Sequence, residues 1–221
     1  NRGQIFADYV ELSKSELGRD LIVWPEASLT FLKESIASEL SAYGKNLGDG
    51  GTGLILGIPS LTEDGYFQNT LLGIGRAEGT YIKRQLVPFG EFVPMEKHLR
   101  GIISFFDLPM SRNTPGPSVQ SPLTINGNEF SSSICYEIAY PELVRIADID
   151  PAFILTVSND TWFGSSIGPW QHLQLARMRA LENERMLVRT TNNGITAVIG
   201  TRGQVLASLP QFSRGVLRHD L

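Results

Sequence analysis

The chain has 221 residues, of which 42% are apolar and 19% charged, and this composition suits one sizeable globular domain. Its 19 basic and 23 acidic side chains give a net charge of −4 and contain no basic run, so we predict no nucleic acid partner. One cysteine excludes an internal disulfide and a cysteine-based zinc site, and the 3 histidines lack paired spacing, so neither a metal nor a cofactor is predicted. No apolar run reaches the roughly 18 residues of a membrane-spanning helix.

Apolar strands and amphipathic helices alternate along the first half of the chain. Apolar residues recur at helical spacing over residues 5–17 and 31–43, and Gly18 and Gly44 are predicted to end these two helices. A loop is predicted over residues 84–94, which include proline and glycine. The predicted strands are residues 21–24, 54–59, 66–75 and 79–82, the last two forming a hairpin or meander.

The second half continues this alternation. A helix over residues 95–106 has apolar residues on more than one face, which fits either a core helix or an arm whose residues 102–108 contact lipid. A turn at Asn126-Gly127-Asn128 predicts a hairpin between strands 119–123 and 129–134. The remaining predictions are helices over 141–147 and 170–185, a loop over 158–169, and strands at 153–157, 186–190, 196–199 and 205–209. The alternation predicts an α/β fold or an α-β-β-α layered sandwich.

Three reactive side chains follow predicted strand ends: Glu26, Lys83 and Cys135. A thiol is a weak nucleophile until it loses its proton, and a nearby carboxylate can accept that proton. An ammonium group and a backbone N–H can stabilise the oxyanion of an acyl-transfer intermediate. These residues therefore suit the roles of base, cation and nucleophile, provided that the fold brings them together.

Each of these residues also has a purely structural interpretation. A lone cysteine is often a small core residue, Glu26 can cap a helix, and Lys83 can be a solvated charge at a strand end. His172 opens a predicted helix and is interpreted as a partly exposed structural residue, which disfavours a Cys-His arrangement. Trp162 fits either a gate over the pocket or packing within it.

Short motifs around these residues resemble those of a known protein family. Trp24-Pro25-Glu26, Lys83 after a strand, and Ile134-Cys135-Tyr136-Glu137 followed by Tyr140-Pro141-Glu142 resemble the carbon–nitrogen hydrolase (nitrilase) superfamily. Within it, the chain is similar to the catalytic domain of the apolipoprotein N-acyltransferase family, through residues 81–94 (YIKRQLVPFGEFVP) and 158–164 (SNDTWFG). The resemblance covers residues 5–217, nearly the whole chain.

The resemblance implies an α/β fold of the nitrilase type, an α-β-β-α sandwich. It implies that Glu26 is the general base, Lys83 stabilises the tetrahedral intermediate, and Cys135 carries the acyl group. Supporting roles near the nucleophile are implied for Glu91, Tyr136 and Glu137. Ala27 and Gln85 depart from the family pattern, which has a hydroxyl residue and a histidine there, and these departures bear on specificity.

The implied reaction proceeds in two half-reactions. Cys135 takes an acyl chain from a phospholipid as a thioester, and the amine of a diacylglyceryl-cysteine apolipoprotein then attacks the thioester. The partners are therefore a phospholipid donor, the apolipoprotein acceptor and a membrane. The implied location is the bacterial inner membrane, with the catalytic domain on the periplasmic side.

The family pattern also extends beyond both ends of the chain. Family members have a strand before the first predicted helix, a stretch after residue 221 and transmembrane helices ahead of the domain. We therefore expect residues 1–221 to be a single domain, truncated at both ends, from a longer membrane protein. A missing strand would leave apolar surface and unpaired backbone exposed, and we expect the fragment to be poorly active alone.

Two other functions fit parts of the same pattern. A nitrilase-family amidase or carbamoylase that hydrolyses a small C–N substrate would use the same three residues. A catalytically inactive binding module would not need them, and the presence of Glu26, Lys83 and Cys135 argues against it.

Overall fold

The computed structural model describes residues 2–92, 113–145 and 150–221. The predicted helix over residues 95–106, its lipid-contacting part at residues 102–108, and the end of the helix predicted over 141–147 lie outside these ranges. Among the residues described, no helix is both long and apolar enough to cross a bilayer.

The elements alternate as the sequence predicts. The helices are α1 (Arg2–Ser13), α2 (Ala37–Asp49), α3 (Pro141–Val144) and α4 (Gly168–Asn183), with short 3₁₀ helices at Lys14–Glu16, Lys33–Ile36, Cys135–Ala139 and Asp160–Phe163. The strands of the first half are β1 (Leu21–Val23), β2 (Gly53–Leu61), β3 (Phe67–Gly75), β4 (Ala77–Glu78) and β5 (Thr80–Ile82). Those of the second half are β6 (Leu123–Ile125), β7 (Asn128–Ile134), β8 (Ile154–Asn159), β9 (Leu187–Asn192), β10 (Thr196–Ile199) and β11 (Val205–Leu209).

In the described ranges the strands form two sheets. One has the order β1-β2-β3-β5, and the other β11-β10-β9-β8-β7-β6-β4. Strands β7, β8 and β9 are parallel, with Ser131 opposite Ile154 and Ile154 opposite Leu187. The carboxyl ends of these parallel strands therefore lie along one edge, the position where α/β folds collect functional groups.

The two sheets pack face to face and each carries helices on its outer face, which confirms the predicted α-β-β-α sandwich. The inner core joins residues of both sheets, including Ile55 and Leu71 from one and Phe130 and Leu155 from the other. Helix α4 packs Leu173, Ala176 and Ala180 against the longer sheet, and α2 packs Leu40 and Leu47 against the shorter one.

Strand β2 shows why a continuous apolar run forms a buried strand. Alternate side chains point to opposite faces of a sheet. Ile55 therefore joins the core between the sheets, whereas Leu54, Leu56 and Ile58 pack against the helical layer. Both faces are covered, so residues 54–59 of this strand are all apolar.

The predicted end of the second helix is wrong. Helix α2 continues through Gly44 to Asp49. Gly44 is needed for a close approach instead, because a Cβ there would lie 3.2 Å from the Cβ of Ile74 on strand β3. A glycine that allows a helix to pack on a sheet has the same sequence signal as one that ends a helix.

The strand predicted over residues 119–123 is also wrong, since β6 begins at Leu123 and Val119 is 87% exposed. Pro122 has no N–H group to donate to a ladder. The side-chain amide of Gln120 bonds the backbone of Ile82 instead, accepting from its N–H at 2.8 Å and donating to its C=O at 2.7 Å.

The predicted hairpin between residues 66–75 and 79–82 is confirmed only in part. Strands β3 and β5 do pair antiparallel, with Thr70 opposite Ile82. The segment between them is not a simple turn, however, because β4 crosses to the other sheet and pairs with β6, with Ala77 opposite Ile125.

Strand β1 has one strand neighbour among the described residues, β2. A cavity of about 1060 Å³ lies beside β1 and is lined by residues of α1, β9, β10 and the segment after β11. The expectation that the complete domain has a further strand before α1 stays a prediction.

Candidate functional site

The two sheets bring Glu26, Lys83 and Cys135 together. Glu26 follows β1 and Lys83 follows β5, both in the shorter sheet, whereas Cys135 follows β7 in the longer one. Because the sheets face each other, side chains that are far apart in sequence meet at one end of the sandwich. Lys83 Nζ lies 3.3 Å from Glu26 Oε1, and both charges act on the Cys135 thiol.

Glu26 is held rigidly. Its Oε1 accepts a hydrogen bond from the Asn69 side chain at 2.6 Å, and its Oε2 accepts one from the backbone N–H of Asn159 at 2.6 Å. Its backbone carbonyl accepts a further bond from Asn192 at 2.7 Å. The absence of a side chain at Gly57 on strand β2 lets the backbone of Glu26 pack closely against that strand, because a Cβ at Gly57 would lie 2.7 Å from Glu26 Cα. The carboxylate is therefore fixed before any substrate arrives.

Lys83 is 1% exposed and lies between two carboxylates. Its Nζ donates to Glu91 Oε1 at 2.7 Å as well as to Glu26. Burial alone would lower the pKa of Lys83, but the negative charges of Glu26, of the Cys135 thiolate when it forms, and of Glu91 outweigh it and raise the pKa. An ammonium group has three donors, and the described residues accept two, so one remains for a substrate oxygen. We call Glu26, Lys83 and Glu91 the lysine cluster.

Cys135 begins the 3₁₀ helix Cys135–Ala139 with a φ of 52°. This left-handed conformation is uncommon for a residue with a side chain and costs about 1–3 kcal/mol, so the surrounding contacts must hold it. The residue is partly exposed. Burial and the charge of Glu26 raise the pKa of its thiol to about 12, against the lowering effect of Lys83. The thiol is therefore protonated at neutral pH and needs a base to ionise.

The predicted supporting residues contact different parts of the site. Glu91 bonds Lys83 through one oxygen, and its other oxygen accepts from the backbone N–H of Val87 at 2.8 Å. Tyr136 is partly buried and packs edge-on against Tyr140, with ring centroids 5.2 Å apart.

Glu137 is fully buried and links the segment after Lys83 to the strand before Cys135. It accepts from the backbone N–H groups of Arg84 at 2.6 Å and Ile134 at 2.8 Å, and from the Tyr81 hydroxyl at 2.9 Å. Burial raises its pKa even though these bonds favour the charged form. Its described bonds tie together the two strand ends that carry the reactive side chains.

A second buried group, not predicted from the sequence, lies on the other side of Cys135. Asp160 is 1% exposed and bonds His172 Nδ1 at 2.9 Å and Arg189 Nη2 at 2.6 Å. Burial would raise the pKa of Asp160, but His172 and Arg189 lower it. We call Asp160, His172 and Arg189 the aspartate cluster. The sequence did offer a signal for Asp160, which directly follows the parallel strand β8, whereas Arg189 lies in the middle of β9 and had no such signal.

Two expectations about single residues are corrected here. His172 is buried, with 6% exposure, rather than partly exposed, and its Nε2 lies 3.1 Å from the backbone oxygen of Cys135. Its position at the start of the second turn of α4, facing the sheet, accounts for the burial. Trp162 is 71% exposed, so it does not pack inside a pocket.

Comparison with known proteins identifies the family and the fold. The family model "Carbon-nitrogen hydrolase" matches residues 4–221. Apolipoprotein N-acyltransferases of Pseudomonas syringae pv. tomato and Pseudomonas paraeruginosa are 50% and 46% identical over 90% and 96% of this chain. The chain spans only 40% and 42% of the length of these relatives.

A solved structure shares the fold at low sequence identity. The carbon–nitrogen hydrolase of Helicobacter pylori G27 superposes with a TM-score of 0.74 at 16% identity, covering 96% of this chain and 82% of that one. The likeness extends over both sheets and therefore supports the architecture described above. With a family model that matches nearly every residue, the chain belongs to the carbon–nitrogen hydrolase family.

Proposed function

We propose that this chain is the acyl-transferring domain of an apolipoprotein N-acyltransferase. The enzyme would move a fatty acyl chain from a phospholipid to the N-terminal amine of a diacylglyceryl-cysteine lipoprotein. The relatives that carry this name support the substrate class. The observation that supports the chemistry is the Cys135 thiol beside a buried ammonium group that lies between two carboxylates.

In the first half-reaction, the Cys135 sulfur attacks the ester carbonyl carbon of the phospholipid. Glu26 accepts the thiol proton as the S–C bond forms, because a thiol with a pKa of about 12 does not ionise by itself at neutral pH. Lys83 donates its remaining N–H to the oxyanion of the tetrahedral intermediate. The C–O bond then breaks, and the lysophospholipid leaves with the proton returned by Glu26.

The second half-reaction runs through the same groups. The lipoprotein amine attacks the thioester carbonyl, Glu26 takes a proton from the amine, and Lys83 again stabilises the oxyanion. Breakage of the C–S bond yields the amide and the Cys135 thiol. Glu91 would hold Lys83 against the Glu26 carboxylate throughout, and Glu137 would hold the two strand ends in register. Tyr136, next to the nucleophile, would contact the incoming chain.

We also propose that the domain works on the periplasmic side of a bacterial inner membrane. Both proposed substrates carry long acyl chains and reside in a bilayer. The complete protein would therefore meet them at a membrane surface. The two acyl transfers need no cofactor.

The test is an intact-mass measurement on the complete polypeptide that carries this chain. Incubation with phospholipid should add one acyl mass, which hydroxylamine removes and which is absent from Cys135→Ala. Addition of a diacylglyceryl lipopeptide should then discharge the adduct. Failure of the folded protein to form the adduct, combined with turnover of small amides, would overturn the proposal in favour of an amidase.

A further inference from the structure

The aspartate cluster has no part in the proton transfers proposed above, yet it contacts the nucleophile. His172 Nε2 lies 3.1 Å from the backbone oxygen of Cys135. The other ring nitrogen, Nδ1, lies 2.9 Å from Asp160 Oδ1. A carbonyl oxygen only accepts hydrogen bonds, and so does an ionised carboxylate. Both contacts are therefore donated by ring N–H groups, and the ring links the carboxylate to the nucleophile's main chain.

The ring is itself held in place. Asp160 Oδ1 also accepts from the Ser158 hydroxyl at 2.5 Å, and Oδ2 accepts from Arg189 Nη2 at 2.6 Å. Arg189 is fully buried and donates through Nε to the backbone oxygen of Ile195 at 3.2 Å. The cluster thus runs from strand β9 through the end of β8 to the second turn of α4, so His172 has a rigid support.

The main chain that His172 contacts is strained. Cys135 has a φ of 52°, and the direction of its side chain depends on that conformation. A peptide that relaxed to an ordinary φ would turn the sulfur away from Lys83 and Glu26. A hydrogen bond to the carbonyl of the same residue opposes this rotation, because the rotation would carry the carbonyl away from the ring.

We infer that His172 is a positioning residue, whose Nε2–H holds the Cys135 carbonyl so that the sulfur faces Glu26 and Lys83. This inference rests on the proposed role of Cys135 as the nucleophile. His172 does not touch the reacting atoms, so its effect should appear in the rate of acylation rather than in the affinity for the phospholipid.

Two substitutions separate the contacts of the ring. An asparagine amide at position 172 can reach Asp160 in place of Nδ1 but falls short of the Cys135 carbonyl. A glutamine amide can extend to the position of Nε2. We expect His172→Asn to lower the kcat for acyl-adduct formation at least tenfold with little change in KM, and His172→Gln to restore most of it. The matched control is His219→Asn at an exposed histidine, which should change neither value.

Two further readouts need no lipid substrate. Cys135 is the single cysteine of residues 1–221, so once any cysteine outside these residues is replaced by serine, alkylation by iodoacetamide and the ¹³C carbonyl signal of labelled cysteine report on this residue alone. In His172→Asn we expect the carbonyl signal to move, and the pH profile of alkylation to shift by at least one unit towards that of an ordinary thiol. His172→Gln should return both to near the wild-type values.

Asp160→Asn provides a second test if His172→Asn does not fold, because it frees the ring while leaving His172 in place. It should move the carbonyl signal in the same direction. An unchanged carbonyl signal and alkylation profile in the folded variants would overturn the inference, as would equal losses in His172→Asn and His172→Gln. Wild-type protein that gives no acyl adduct would refute the proposed function, while the carbonyl signal would still decide the role of His172.

Discussion

Two buried charged clusters flank Cys135, and they use similar groups in opposite arrangements. In the lysine cluster, a cation lies between two anions, Glu26 and Glu91. The described residues leave one donor of Lys83 unused, and both the ammonium and Glu26 act on the thiol. A cluster with spare hydrogen-bonding capacity beside a nucleophile is suited to chemistry, because new charge can be stabilised there without rearrangement.

In the aspartate cluster, an anion lies between two cationic or donor groups, His172 and Arg189. Each polar side-chain atom of Asp160 and His172 already has a partner among the described residues, and the ring contacts main chain rather than sulfur. Arg189 Nη1 has no partner among the described residues, but Arg189 is fully buried, so this cluster fixes geometry rather than binding a substrate. The comparison teaches that burial and charge alone do not mark the reactive group, whereas an unused donor on a group that acts directly on the thiol does.

The largest effect should come from Lys83→Met. The change removes the oxyanion donor and leaves the buried Glu26 and the partly buried Glu91 without their shared cation. We expect acyl-adduct formation to fall by about 10²–10³-fold or more, and the free energy of unfolding to fall by about 3–5 kcal/mol. Intact-mass measurements on samples quenched at successive times give the acylation rate, and urea unfolding gives the free energy of unfolding. Lys45→Met at an exposed lysine is the control, and a variant that keeps its acylation rate would remove Lys83 from the chemistry.

Glu26→Gln should separate the two effects that this carboxylate has on Cys135. Loss of the base should slow phospholipid acylation by about 10²-fold, the lower end of what a general base contributes. Loss of the negative charge should lower the pKa of the thiol from about 12, because that charge raises it in the wild type. The thiolate is the form that reacts with iodoacetamide, so alkylation at pH 8 should become faster while acylation becomes slower. A parallel fall in both rates would contradict this assignment.

Asp160→Asn should have an intermediate effect on activity. The change removes the anion between Arg189 and His172, and we expect acylation to fall about tenfold because the Cys135 carbonyl is held less firmly. Loss of one partner from a buried charged pair should also reduce stability by about 3–5 kcal/mol. Thermal melting and adduct formation are measured together, with the exposed Asp64→Asn as the control. Full activity in a folded variant would show that the aspartate cluster is not coupled to the nucleophile.

Glu91→Gln should have the smallest effect of the four. The amide oxygen can still accept from Lys83, but the bond from the Val87 N–H then meets an amide nitrogen unless the side chain turns over. Loss of one hydrogen bond is worth about 1 kcal/mol, so we expect acylation to fall about five- to tenfold. The exposed Glu63→Gln serves as the control, and a loss as large as that of Glu26→Gln would indicate that Glu91 itself transfers protons.

Local patterns predicted most of the architecture. The apolar run of β2 and the helical period of α4 predicted these elements, because both faces of β2 and one face of α4 are buried. The predictions of element boundaries were wrong where a tertiary contact outweighs the local sequence preference. Gly44 fits against Ile74 instead of ending α2, and a Gln120 side chain takes the place of a strand beside Ile82.

By itself, the sequence determined the α/β class and its family, because strand and helix periods and the motifs around Glu26, Lys83 and Cys135 are local features of the chain. It could not show that His172 is buried against the Cys135 carbonyl, nor that Asp160 and Arg189 support it. These contacts join residues from four elements, and only the packing of α4 on the parallel strands decides which polar groups meet. The same packing decides which groups act on the Cys135 thiol and which contact its backbone carbonyl, because both depend on distances between residues that are far apart in the sequence.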